Sequence, residues 1–228
     1  MAIFLHIETA TEICSVAISR DGALLSLCES NEATSHASVL TLQIEQCLAE
    51  SHVTLNEIDA VSVSSGPGSY TSLRIGTSVA KGICYALDKF LIVVDTLQAL
   101  AIASAGLSRY ENAIFCPMID ARRMEVYTAF FDASGEQRTA NEAKIVTQES
   151  FLSEFENYDH LVLSGNGSPK CAEVLKSPKA VFSPTFCSAA HHIFLTKIAF
   201  VQKKFEDAAR YVPTYGKAPN ITVSTKIL

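Results

Sequence analysis

The stretch Ser65-Gly66-Pro67-Gly68-Ser69-Tyr70-Thr71-Ser72-Leu73-Arg74-Ile75-Gly76 carries the strongest chemical signal in this chain. It follows a strand-like segment, Ala60–Ser64, and opens a helix-like one that runs from Tyr70 to Leu87. A strand, a tight Gly/Pro/Ser turn and a helix N-terminus leave backbone N–H groups pointing outward, an arrangement that takes anions. Pro67 fixes its own φ, and Gly66 and Gly68 let the turn close without a Cβ clash. The same turn also serves as a plain βα connection with no ligand, and both readings stand at this point. A Walker A loop is ruled out, because the spacing Gly-x-x-x-x-Gly-Lys-Ser/Thr does not occur. Two acids, Glu8 and Asp120, fall where an apolar strand stops, the place from which side chains reach a cleft. A carboxylate there also caps turns, and for Glu8 that alternative is serious. Arg122 and Arg123 follow Asp120 in a turn. Adjacent guanidiniums meet phosphate or a partner's carboxylate, or simply form a solvated hairpin tip.

Other chemistries find fewer residues. His6, His36, His52 and His160 are isolated in sequence. His191 and His192 are neighbours, about 100° apart on a helix, and cannot chelate one ion together. Surface and helix-cap roles are the expectation for these histidines. No Gly-x-Ser-x-Gly elbow marks a serine nucleophile. Lys81 shares the polar arc of its helix with Arg74 and Thr77, which reads as the solvent face.

The elements that must position these groups are legible as patterns. Ile3–Ile7 is apolar. Ile13–Ser19 alternates, with Ile13, Ser15, Ala17 and Ser19 against Cys14, Val16 and Ile18. Arg20-Asp21-Gly22 is a turn signal before a third strand, Ala23–Ser30. A helix capped by Thr34 or Ser35 follows, with Val39, Leu40, Ile44, Cys47 and Leu48 on one arc. After the glycine turn and helix Tyr70–Leu87 come strand Leu91–Val94 and a helix from Thr96 that fades near Gly106. The second half then repeats the first. Strand Ile114–Asp120 precedes strand Glu125–Phe131 and a turn, Asp132-Ala133-Ser134-Gly135. Glu8 precedes Gly22 by 14 residues and Asp120 precedes Gly135 by 15. His160–Ser164 runs into Gly165-Asn166-Gly167-Ser168 as Ala60–Ser64 runs into its glycine turn. Two copies of one strand-hairpin-helix-strand-helix unit are expected, the second shorter in its middle; coincidental likeness of two α/β halves is the alternative. The last helix is expected over Ser188–Lys204, and the tail from Ala208 is expected to be irregular.

The length of 228 residues fits two small domains or one large one, and 48% hydrophobic residues supply a substantial core. Eighteen basic against 24 acidic residues give −6, which argues against sequence-independent binding of nucleic acid by this chain alone. Seven cysteines are spread singly with no Cys-x-x-Cys pair, the pattern of buried thiols in a reducing cytoplasm. The N-terminus lacks a basic region and meets an acid at Glu8, unlike a signal peptide, and no apolar run approaches a membrane span.

Two such units face each other in the actin-like ATPase (ribonuclease H-like) architecture, with two lobes of mixed sheet flanked by helices. The expected lobes are residues 1–106 and 107–228, the first carrying the partner-binding helices. Several segments resemble the TsaB (YeaZ) family: Ile7-Glu8-Thr9-Ala10-Thr11, Ser35-His36-Ala37-Ser38-x-Leu40, Gly66 to Gly76, Asp120-Ala121-Arg122-Arg123-Met124-Glu125-Val126-Tyr127, and the tail Tyr211-Val212-Pro213-Thr214-Tyr215. Glu8 stands where that family more often has Asp, Ser72 where Gly is common, and Met124 where Gly is usual; the last removes a residue tolerant of φ > 0 from the turn.

The resemblance implies a bacterial subunit for installing threonylcarbamoyl on the adenosine beside the anticodon of tRNA. It implies a degenerate relative of the catalytic subunit TsaD that forms a heterodimer with it, joined by the ATPase TsaE. Older usage called such proteins glycoproteases. Catalytic relatives carry His-x-x-x-His after the strand matching Leu91–Val94, and here Thr96 and Leu100 fill those places. No catalytic residue and no metal ligand are therefore expected, and ATP or ADP and metal belong to the partner subunits. The helix beginning near His36 and helix Tyr70–Leu87 would pack on their counterparts in the partner as a four-helix bundle. Val39, Leu42, Leu73 and Thr77 would line it and His36 would lie near its edge. Glu8, Thr9, Gly66, Gly68, Asp120, Arg122 and Arg123 would outline a vestigial nucleotide cleft. A homodimer through the same face is expected when the partner is absent, tRNA is reached only through the complex, and no membrane is involved. The rival class is an enzyme, either a metal-dependent glycoprotease-like hydrolase or an ATPase of the actin-like superfamily; a nucleotide-binding sensor is a third.

Overall fold

The computed structural model describes residues 1–31 and 36–217. The first half runs through β1 (Ile3–Glu8), β2 (Cys14–Arg20), β3 (Ala23–Ser30), α1 (His36–Ser51), β4 (Ala60–Gly66), α2 (Tyr70–Leu87), β5 (Phe90–Asp95) and α3 (Thr96–Leu107). The second runs through β6 (Ala113–Asp120), β7 (Glu125–Thr128), β8 (Glu142–Ile145), α4 (Leu152–Asn157), β9 (His160–Ser164), α5 (Ser168–Cys171), β10 (Ala180–Phe182) and α6 (His192–Val201). The strands form two five-stranded sheets, ordered β3-β2-β1-β4-β5 and β10-β9-β6-β7-β8. Matching β6–β10 to β1–β5 makes the two orders identical. In each sheet the first three strands pair antiparallel and the last two join in parallel. The repeat extends to single residues: Gly66 (φ 105°) and Gly165 (φ 87°) both take left-handed backbone where the fourth strand of their unit ends. This is the duplicated actin-like α/β fold.

Alternation along the strands sorts side chains onto two faces of the first sheet. Ile3, Leu5, Ile7, Cys14, Val16, Ile18, Val61, Val63 and Leu91 face α1 and α2 and bury Leu40, Ile44, Cys47, Ala80 and Cys84. Phe4, Ala60, Ile92 and Val94 face the other way, under Leu195, Ala199, Phe200 and Phe205 of the C-terminal segment. In the second sheet Phe115, Ile119 and Val162 pack with Leu97, Leu100 and Ala101 of α3. Each half thus ends in a helix that covers the sheet of the other half. The break at 106/107 divides the chain but not the packing: α3 closes the second sheet, and α6 with the tail closes the first. A lone sheet with one bare apolar face cannot stand in water, and the exchange supplies the missing layer to both.

Element ends follow local chemistry. Ser69 caps α2 through Ser72 N, Asp95 caps α3 through Gln98 N, and Asp88 closes α2 in left-handed backbone at φ 52°. The caps expected at Thr34 and Ser35 lie outside the described residues. The expected helix over Ser188–Lys204 divides into a 3-10 turn, Ala189–His191, capped by Ser188, and α6. Strand β7 ends at Thr128, short of Phe131, which bridges instead to Phe115 and Gln137. The residues with φ > 0 in the β6–β7 turn are Arg122 and Arg123, so Met124 does not occupy the conformation that favours glycine. The tail holds no helix or strand through Lys217.

Two glycines separate close packing from open surface. A Cβ at Gly68 would lie 2.4 Å from the Ala10 carbonyl oxygen, whereas one at Gly82, inside α2, meets nothing within 4 Å. Gly68→Ala is expected to lower stability by on the order of 2 kcal/mol through overpacking. Gly82→Ala is expected to raise it by about 0.5–1 kcal/mol through helix propensity. Urea denaturation midpoints check both, and equal shifts for the two variants would contradict the packing described.

Candidate functional site

The candidate cleft between the lobes is built from paired turns. Glu8 ends β1 and accepts a bond from Ala10 N at 2.6 Å; Asp120 ends β6 and accepts one from Arg122 N at 2.9 Å. Both acids therefore cap the turn that follows their strand. Beyond that they differ. Asp120 is exposed and pairs with Lys170. Glu8 is 1% exposed and its side chain turns inward, on the face of the first sheet that α6 covers. Thr9 is fully buried beside Gly76, where a Cβ would lie 2.3 Å from Thr9 Oγ1. The expectation that Glu8 and Thr9 line a cleft is corrected on this point: packing against α2 and α6 removes both from solvent.

Glu8 belongs instead to a buried polar chain. Its Oε2 lies 3.1 Å from His192 Nε2. His192 Nδ1 lies 3.4 Å from Ser62 Oγ, which is 2.7 Å from His6 Nδ1. His6 Nε2 pairs with Ser19 Oγ at 2.7 Å. His6, Ser19, Ser62 and His192 are all fully buried, so these histidines are neither surface nor cap residues. Burial pushes the Glu8 carboxyl up, but the bond to His192 and the attraction of its ring, with Ala10 N–H and Ser64, outweigh this and hold it below the usual carboxylate range. Burial, reinforced by His192, holds His6 well below the usual imidazole range. A Ser–His–Glu sequence of contacts is present, yet no substrate reaches it. His192 was readable in sequence only as half of a histidine pair, because its partner lies 184 residues away.

The glycine turn faces inward too. Ser69 N donates to Ala10 O, and Ser69 Oγ accepts from Ser72 N, so two N–H groups of the turn are bonded within the chain. Gly66 abuts the tail: a Cβ there would lie 2.3 Å from Thr214 O. The tail crosses from one lobe to the other. Lys81 Nζ donates to the carbonyls of Ala209 and Tyr211, Thr214 N to Ser65 O, and Arg74 Nε to Tyr215 Oη at 2.8 Å. Tyr70 and Tyr215 rings lie 4.3 Å apart with Arg74 over Tyr70. Gly216 then seats on the Tyr127 ring and Lys217 pairs with Glu125. Lys81 and Arg74 therefore hold the tail, where a plain solvent face was expected. Beside the tail lies a cavity of about 80 Å³ lined by Gly66, Pro67, Asp95, Tyr127, Thr214 and Gly216, among others. That volume is below the ~300 Å³ at which ligand pockets begin. Thr96 and Leu100 are fully buried, and Leu100 packs in the core between α3 and the second sheet. Among the described residues no three His, Cys, Asp or Glu side chains gather where they could hold a metal ion.

The outer face of α1 and α2 is different. Leu42 is 62% exposed, and Val39, Ile75, Val79 and Ile83 are half-buried along the seam between the helices. Leu73 is fully buried beside Gly66, and Thr77 and His36 are buried as well. The expected interface set is corrected accordingly. Val39 and Leu42 are available to a partner. Leu73, Thr77 and His36 are held inside the chain because their positions on the helices point toward the sheet and the β1–β2 turn. Ile75, Val79 and Ile83, spaced four residues apart along α2, join Val39 as half-buried apolar residues.

The model of the family described as TsaD, tRNA N6-adenosine threonylcarbamoyltransferase, matches residues 30–223. The chain is 27% identical over 220 residues to a tRNA threonylcarbamoyladenosine biosynthesis protein TsaB of Haemophilus influenzae, covering 92% of each chain. It is 36% identical over 129 residues to the TsaB of Escherichia coli, covering 55% of this chain and 53% of that one. YeaZ from Pseudomonas aeruginosa superposes with a TM-score of 0.77 at 26% identity, covering 94% of this chain and all of that one.

The buried polar chain predicts an acid-labile fold. Because His6 takes a proton more readily unfolded than folded, stability is full above about pH 6.5 and falls as pH drops toward its folded value. Glu8, held low, adds loss in the same direction at still lower pH. His6→Gln is expected to remove about 1.4 kcal/mol per pH unit of that slope between pH 6 and 5. Urea unfolding at several pH values measures it; an unchanged slope in the variant would refute a neutral buried His6.

Proposed function

The chain belongs to the TsaD family, on its TsaB (YeaZ) branch, and we propose that it is the non-catalytic dimerisation subunit for tRNA threonylcarbamoyladenosine synthesis. It binds a TsaD-like threonylcarbamoyltransferase through the α1–α2 face and orders that partner's active site. The observation that carries the reading is the half-open apolar seam of Val39, Leu42, Ile75, Val79 and Ile83 on a chain whose own cleft is closed. Apolar side chains that stay half in water on two adjacent helices gain by burial against two more, and a stable complex covers upward of ~1,200 Å². A second copy of the chain offers the same seam, so homodimers form when the partner is absent.

Activation is a matter of differential affinity. The subunit must bind the productive conformation of its partner more tightly than the unproductive one. Nucleotide and metal are then handled by the partner and by a TsaE-like ATPase, and tRNA is engaged by the assembly in the cytoplasm. Seven buried cysteines without a disulfide suit that compartment, and no helix of the described residues is long and apolar enough to cross a membrane. The buried Leu100 and Thr96, at the places of the relatives' imidazole pair, support a role without chemistry of its own.

Leu42→Asp is the direct test. Leu42 touches solvent, so the variant is expected to keep its stability within about 0.5 kcal/mol and to lose co-purification with the TsaD-type subunit. A modification assay on unmodified tRNA should run with both subunits and fail when this chain is omitted. Modification by this chain unaided, or by the partner at full rate without it, would overturn the reading.

A further inference from the structure

The turn between β6 and β7 carries an arrangement that the docking face does not use. Arg122 (φ 74°) and Arg123 (φ 52°) stand at its tip in consecutive left-handed conformations, which side chains of this size adopt only when the surroundings impose them. The surroundings do so. Ala121 N bonds Glu125 O, and Glu125 N bonds Arg122 O, each at 3.1 Å. Asp120 Oδ1 takes Arg122 N, and Asn166 Oδ1 takes Asp120 N at 3.0 Å. Lys170 Nζ pairs with Asp120 and bonds Glu125 O at 2.7 Å. Asn166 reaches across to Glu12 Oε2 of the first lobe at 2.6 Å. The tip is thus clamped from both lobes.

Its charges are unevenly matched. The acids in the turn, Asp120 and Glu125, have their own ammonium partners in Lys170 and Lys217. Both arginines are exposed, and among the described residues neither guanidinium has an ion pair or a hydrogen bond. Two uncompensated guanidiniums on a rigid turn, in a chain of net charge −6, are a local anion-binding prong. Guanidinium forks match phosphate oxygens, and a clamped tip presents them without the cost of ordering the turn's backbone.

Resting on the subunit role proposed above, we infer that Arg122 and Arg123 contact the phosphate backbone of the tRNA held by the assembled complex. The overall negative charge keeps the isolated chain a poor RNA binder, so the contact positions tRNA in the assembly and does not recruit it to the free subunit. The test uses the reconstituted complex with its TsaD-type partner and unmodified tRNA, with affinity measured by fluorescence anisotropy over a range of salt. Arg122→Ala with Arg123→Ala is expected to weaken binding about tenfold near 0.1 M salt. The plot of log affinity against log salt should become shallower by between about one and two. Arg122→Lys with Arg123→Lys should restore most of the slope, and Arg109→Ala, an exposed charge elsewhere, should leave it unchanged. Unaltered affinity and slope in an intact complex overturn the inference. So does loss of partner co-purification, which would assign the arginines to carboxylates on the protein partner. A wild-type complex that fails to form overturns the subunit reading itself, a result distinct from a formed complex whose RNA binding ignores the variants.

Discussion

Glu8 is a carboxylate in a place without water, and the front of the molecule is arranged to keep it ionised there. A lone charge in such a site is too costly to persist. It persists because His192 arrives from the last helix, Ala10 and Ser64 supply further bonds, and Ser62, His6 and Ser19 carry the polar chain across β4, β1 and β2. That face of the sheet is polar beside Phe4 and Ile92, so it accepts one covering layer, the helix that brings the matching imidazole. The contact is therefore a register pin: α6 seated one residue off would take the His192 imidazole away from Glu8. Since the partner comes from the end of the chain, the first lobe is complete only when the second has been threaded past it.

Much of this was legible in the residues. The strands Ala60–Ser64 and His160–Ser164 and helix Tyr70–Leu87 are long or sharply bounded, and alternation or helical period marks them plainly. The duplication shows through because Glu8 and Asp120, and the two glycine turns, recur at matching intervals. Strands β8 and β10 and helix α4 left no mark, being three to six residues long and half-exposed, with burial that follows neither period. The helix exchange was invisible for another reason: α3 and α6 are apolar nearly all round, which says that both are covered but not by which sheet.

The site was read less well than the fold, and the reason is geometric. Helical periodicity finds an apolar arc but does not divide it into the part that meets the sheet and the part left over. Leu73 and Leu42 look alike in sequence; one is sealed beside Gly66 and the other stands in solvent. The cleft residues suffered the same ambiguity. Gly66 and Gly68 sit where chain passes close to them, Thr214 against one and Ala10 against the other.

The crossing tail has a mechanical corollary. Proteins that work by closing two domains on a ligand need a hinge with slack on both sides of it. Here the segment from Ala209 to Lys217 is stitched to α2, to the end of β4, and to Tyr127 and Glu125 of the opposite sheet. A jaw bolted shut this way moves as one block. Whatever docks on α1 and α2 meets a helix pair already tied by the tail to the opposite sheet.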